Sequence, residues 1–126
     1  MSADDEKSQA AIKVLHILSQ FQIFHWQTNK MKDHKTFDDF TEDFKEIGDK
    51  LIEVIQGKYG RITLSDETKL PIRNIQEIEP YNFTENCISF FNILKNNIFS
   101  NDDEIISLLD EIVANLQQLK YLLSFE

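Results

Sequence analysis

The sequence predicts an all-α protein, four helices in one bundle with a single long crossover between the second and the third. Three observations carry this. Only 3 glycines and 2 prolines occur in 126 residues, too few for the many tight turns of an all-β fold. Apolar residues recur at alternating spacings of three and four in at least two long segments, the period of a helix with one buried face. Both prolines, Pro71 and Pro80, fall in one polar stretch near the middle. A chain of this length, with 41% apolar and 28% charged residues, has the composition of one globular domain spanning 1–126.

The first helix is expected from about Asp4 to Asn29, with Asp4, Asp5 and Glu6 favouring its positive N-terminal end. Its apolar residues, from Ala11 to Trp26, occupy nearly the whole circumference of its second half, which asks for cover on two sides. That cover is either a partner subunit or the rest of the chain. The second helix is expected from about His34 to Gln56, with Asp33 as N-cap and Gly57 or Gly60 in the C-terminal turn. Phe37, Phe40, Phe44, Ile47, Leu51 and Val54 form its core stripe.

The segment 58–82 reads as the crossover, long enough to traverse a helix and leave its neighbours parallel. Ile72, Ile75 and Ile78 suggest a short helical piece within it, and YGRITL leans towards strand. The third helix is expected from about Phe83 to Phe99, with Asn82 and Glu85 as a capping box. The fourth is expected from about Asp102 to Leu123, starting with a second box at Asn101 and Glu104. Its stripe is Ile105, Leu109, Ile112, Leu116, Leu119 and Leu123.

Charge and motif content exclude several functions. A formal net charge of -9 opposes a phosphate backbone, so direct DNA binding is not expected. The single Cys87 cannot form an intramolecular disulfide and reads as a small buried hydrophobe. No signal peptide opens the chain and no apolar run reaches membrane-spanning length. The expectation is a cytoplasmic protein or one packaged in a particle, not a secreted one. There is no glycine-rich phosphate loop, no paired-cysteine zinc pattern and no Glu-x-x-His motif of an intrabundle di-iron centre.

One set of residues has metal-ligand character. On the second helix His34, Asp38, Asp49 and Glu53 share one flank beside the core stripe, each pair spaced i, i+4. The pairs are roughly 16 Å apart along the helix, too far to hold one ion within a single chain. Two copies of the helix, antiparallel about a two-fold axis, would bring one pair against the other. His25 would join His34 and Asp38 if the short connection folds it back. Imidazole with carboxylate suits iron, and also zinc or manganese. The plain alternative is that Asp38, Glu42, Asp49 and Glu53 form a solvated acidic face. On that reading His25 is a hydrogen-bonded core histidine and Trp26 a packing residue. His16 points away from His25 and is given no function, and Tyr59 and Tyr81 read as packing or surface groups.

At these residues the chain resembles the Dps mini-ferritins, bacterial proteins that oxidise and store iron. Their pattern is a His-Trp pair late in the first helix, a histidine after the turn, an aspartate four residues on, and then Asp-x-x-x-Glu. Here it reads His25-Trp26, His34, Asp38, Asp49 and Glu53, within a similarity running from Phe24 to about Gly57. The resemblance implies a ferritin-like four-helix bundle and a ferroxidase site across a two-fold interface. His25, His34 and Asp38 would come from one subunit, and Asp49 and Glu53 from its mate. The chain is also similar to small uncharacterised proteins of large DNA viruses and phages that share FHWQT and GKYGR, which implies a viral source and a place in the virion. It departs from Dps in a shorter connection between the histidines, a shorter chain and a tail that is not lysine-rich. A homodimer or attachment to virion proteins therefore stands beside a closed cage as the expected assembly. The other function class is a non-enzymatic structural bundle that retains the fold.

Overall fold

The computed structural model describes residues 3–125, and the side chains from residue 6 onward. The proposed roles of Asp4 and Asp5 lie outside the described side chains. Four α-helices pack together: α1 (Ala3–Gln27), α2 (Met31–Tyr59), α3 (Pro80–Ile93), which continues into a π-helical turn (Leu94–Ile98), and α4 (Asp103–Leu123). Among the described residues there is no strand, and YGRITL is extended chain after Tyr59. Among the described residues no helix is long and apolar enough to cross a membrane.

Contacts between helix ends set the directions. Lys7 Nζ at the start of α1 donates to Tyr59 O at the end of α2 (2.7 Å), so these helices run antiparallel. Lys58 reaches Asp102 (2.8 Å) while Lys32 reaches Phe125 O (2.6 Å), so α2 and α4 are antiparallel too. Lys120 with Glu85 (3.6 Å) and Lys95 with Asp110 (2.8 Å) give the same relation for α3 and α4. The crossover therefore leaves α2 and α3 parallel, as its length suggested.

Several helix starts differ from those expected. α2 begins at Met31, because a connection of Thr28, Asn29 and Lys30 suffices once the Lys30 N–H is accepted by Thr28 Oγ1 (3.2 Å). Lys30, not Asp33, is its N-cap; Asp33 sits in the first turn, where its charge suits the helix dipole. α2 also runs past Gly57 to Tyr59, and Gly60 (φ 91°) ends it in a conformation that favours glycine. α3 begins at Pro80, where a missing N–H costs no helical bond, so Asn82 lies inside it and caps nothing. Asp102 rather than Asn101 caps α4, its carboxylate accepting the Ile105 N–H (3.2 Å). Ile72, Ile75 and Ile78 form no helix. Instead Asn74 and Glu77 close a turn (2.9 Å), and Ile75 and Ile78 pack onto the core from an irregular chain.

The crossover supplies the second cover for α1. It runs parallel to that helix and is fastened at successive levels. Ser8 Oγ accepts from Thr63 N (3.0 Å), and Gln20 both donates to Arg73 O and accepts from Arg73 N (2.8 Å each). Gln27 does the same for Asn74 Oδ1 and Ile75 N (2.8 Å each). His16 Nε2 meets Pro71 O at 3.3 Å, beneath the edge of Phe83. Burial, then Lys13, lowers the His16 pKa against the opposing Pro71 bond, so a neutral ring donates to that carbonyl. Side-chain amides thus satisfy backbone groups that an irregular segment would otherwise leave to water. Cys87 is fully buried, and burial pushes its thiol up to about 12, in keeping with a packing residue.

Asp102 joins the start of α4 to the end of α2. Besides capping α4, it accepts from Lys58 Nζ (2.8 Å) and Tyr59 Oη (2.7 Å) at the end of α2. The Lys58 and Tyr59 bonds hold its carboxyl at about 2, below the ordinary 3.8. A depressed carboxylate stabilises the fold above its unfolded pKa, and that contribution is lost as pH falls through the folded value. Thermal melts of wild type should therefore lose stability between about pH 4 and pH 2 more steeply than Asp102→Asn, which keeps a cap acceptor without the charge. Parallel acid profiles for the two proteins would remove this role.

Candidate metal centre

His25 occupies the last turn of α1 and His34 the first turn of α2. The short connection lays the two rings against each other, with centroids 3.8 Å apart and planes 19° from parallel. Each ring also reaches the other residue's backbone: His25 Nδ1 to His34 O and His34 Nδ1 to His25 O, both 2.8 Å. A carbonyl oxygen only accepts, so Nδ1 carries the proton in each ring. In the neutral rings both lone pairs then sit on Nε2. This is the state of a histidine prepared as a ligand, its tautomer set by the bond the other nitrogen makes. The bond to His25 O also satisfies one of the last carbonyls of α1.

Asp38 lies one turn beyond His34 on the same flank and is exposed. Asp49 and Glu53 are exposed further along α2, and Asp49 pairs with Lys45 (3.2 Å). Among the described residues no group of three or more His, Cys, Asp or Glu side chains converges within one chain. The structure thus brings His25 to His34, places Asp38 one turn along α2 without gathering it into the pair, and leaves Asp49 and Glu53 further along the helix. The two imidazole nitrogens have the chemistry of ligands for iron, zinc or manganese.

Sequence reasoning missed two features here. Lys45 competes for Asp49, which the i, i+4 spacing on α2 makes visible in retrospect. The reciprocal bonds to carbonyls have no side-chain signature and could not be read from residue types. Trp26 is 69% exposed, so within the chain it is not the packing residue expected; it lines an open surface hollow with Leu18, Ile23 and Ile72 of the crossover. Tyr59 anchors Asp102, and Tyr81 lies beneath Lys120 Nζ at 5.7 Å.

A cavity of about 380 Å³ adjoins the turn, walled by residues including Gln27, Asn29, Asp33, Glu79 and Tyr81. Asp33 Oδ1 is buried there without a hydrogen bond, although Lys32 Nζ stands 3.1 Å away as its counter-ion.

Neither a curated protein nor a solved structure matches the chain. One family model does, over residues 25–123, from His25 of the histidine pair to the last turn of α4. The match covers most of the sequence, and the chain belongs to that family, a family of unknown function (DUF5856).

Proposed function

We propose that this protein is a ferritin-like, Dps-like iron-binding protein that oxidises Fe(II) at a site shared by two copies related by a two-fold axis. The observation that carries the reading is the paired histidine arrangement. It spends both Nδ1 protons on backbone carbonyls and leaves two Nε2 lone pairs for a ligand role, with Asp38 one turn further along α2. His25, His34 and Asp38 of one copy would face Asp49 and Glu53 of the other. The separation of the two pairs along α2 supports a shared site over one built within a chain. Nitrogen ligands favour Fe(II), and the carboxylates stabilise the ferric product. Each Fe(II) gives one electron to peroxide or oxygen, and peroxide takes two electrons and two protons to become two waters.

The test is aerobic Fe(II) oxidation followed by ferric absorbance, with sedimentation on the same samples. Wild type should oxidise iron well above the buffer rate as a dimer or larger oligomer. The His34→Ala/Glu53→Ala double variant should fall by at least about 10²-fold. A wild-type rate equal to buffer would sink the enzymatic reading, and a clean monomer would sink the shared site.

A second reading has its own support: the two reciprocal backbone bonds of the histidine clasp close the α1–α2 turn, and Asp49 already has Lys45. On it the chain is a structural bundle, for which the resemblance to viral proteins suggests a virion setting. Titration with Co(II), whose visible spectrum reports imidazole and carboxylate ligation, separates the two. Tight binding lost in the double variant favours the first, and an unchanged spectrum favours the second.

A further inference from the structure

The flank of α2 opposite His34 and Asp38 faces α4 across a seam with two cavities. The larger, about 470 Å³, has Val54 and Leu108 in its wall, with Asp103, Glu104 and Glu111 around them and Lys50 opposite. The smaller, about 120 Å³, lies towards the start of α2 against Phe40 and Leu119, beside Asp43. Asn115, which also lines it, has a buried Oδ1 that meets no donor. From Thr36 to Val54 this seam extends roughly 27 Å, the length of a helix of about 18 residues. Lys58 is already held by Asp102 and Glu104 (2.8 and 3.3 Å), which leaves Lys50 as the cation lining the larger cavity among four carboxylates along the seam.

We propose that the α2–α4 seam is a docking groove for a cationic amphipathic helix of another protein. Apolar side chains of such a helix would lie over Val54 and Leu108, and its Lys or Arg residues would meet Asp43, Asp103, Glu104 and Glu111. Charge complementarity selects this occupant. A chain of net charge -9 with an acidic rim repels a second copy of the same seam, whereas a basic helix is attracted by that rim. The groove lies on the other side of α2 from the histidine pair, so it stands whether or not that pair binds metal.

The probe is a fluorescently labelled Lys/Leu amphipathic peptide of about 18 residues, titrated against the full chain by anisotropy. Saturable binding is expected, weakening with salt, and weakened by at least about tenfold in Glu104→Lys/Glu111→Lys. Asp66→Lys/Glu67→Lys makes the same change in net charge on the exposed crossover and should leave affinity within about twofold. Circular dichroism of each variant confirms that it remains helical. Equal loss in both double variants would reduce the effect to net charge and overturn the groove. So would equal binding of a scrambled Lys/Leu peptide with no apolar face. Self-association of wild type that disappears in Glu104→Lys/Glu111→Lys would show that the occupant is a second copy, which also overturns the proposal.

Discussion

Phe21→Ala is expected to remove about 3–5 kcal/mol of stability. The Phe21 ring is fully buried and lies 5.2 Å from Phe24, 5.6 Å from Phe37, 4.8 Å from Phe40 and 5.6 Å from Phe83 (centroid distances). It therefore joins α1 to both α2 and α3. Its neighbours are rigid rings on separate helices, so the void left by truncation cannot close by the shift of one side chain. A domain of this size has only about 5–15 kcal/mol in total, so the variant should lose a large share of its stability. Urea unfolding followed by circular dichroism should show a much lower midpoint with an unchanged slope. Trp26→Ala, which removes a larger but exposed ring, should shift the midpoint little. If Phe21→Ala unfolds at the wild-type midpoint, this aromatic cluster is not the centre of the core.

Gly48→Ala should destabilise by about 1–3 kcal/mol, against the roughly 1 kcal/mol that alanine contributes over glycine inside a helix. A Cβ at Gly48 would stand 2.9 Å from Val14 Cγ1, closer than side-chain carbons approach. Val14 is β-branched on α1 and has little rotamer freedom with which to move aside. Glycine at this level lets α1 and α2 approach closely along the same face that ends in the histidine pair. Val14→Ala in the Gly48→Ala background should recover stability, giving a favourable coupling in a double-mutant cycle. Gly57 supplies the control: nothing lies within 4 Å of a Cβ there, so Gly57→Ala should gain up to about 1 kcal/mol. A stabilised Gly48→Ala would show that the two helices do not meet this tightly.

The two helices read most clearly from sequence were α2 and α4, whose apolar stripes became the buried faces Phe37, Phe40, Phe44, Leu51 and Ile105, Leu109, Ile112, Leu116. Periodicity is a property of residue type and order, so it survives without coordinates. Helix starts were less legible. Asp33, Asn82 and Asn101 all have the chemistry of caps, but the backbone began each helix elsewhere, at Met31, Pro80 and Asp103. What decides between neighbouring cap candidates is where the preceding segment must enter the bundle, a tertiary matter.

The π-helical turn had no sequence signal either. There Phe99 N–H reaches Leu94 O (2.9 Å), and both side chains are buried, so core packing set the local hydrogen bonding.

The site divides in the same way. Sequence by itself determined which residues share a flank of α2, because i, i+4 spacing on a helix allows no other placement of His34 with Asp38 or Asp49 with Glu53. It also determined that the two pairs stand too far apart to act on one ion in one chain. Only the tertiary structure decided what His25 does, since the path of a three-residue connection depends on how α1 and α2 pack. It stacked that ring on His34 and turned each Nδ1 onto the other's carbonyl. Only the structure decided, too, what covers the apolar back of α1. The crossover lies there because Gln20 and Gln27 can satisfy its backbone, and no pattern of hydrophobicity records a hydrogen bond between a side-chain amide and a distant peptide group.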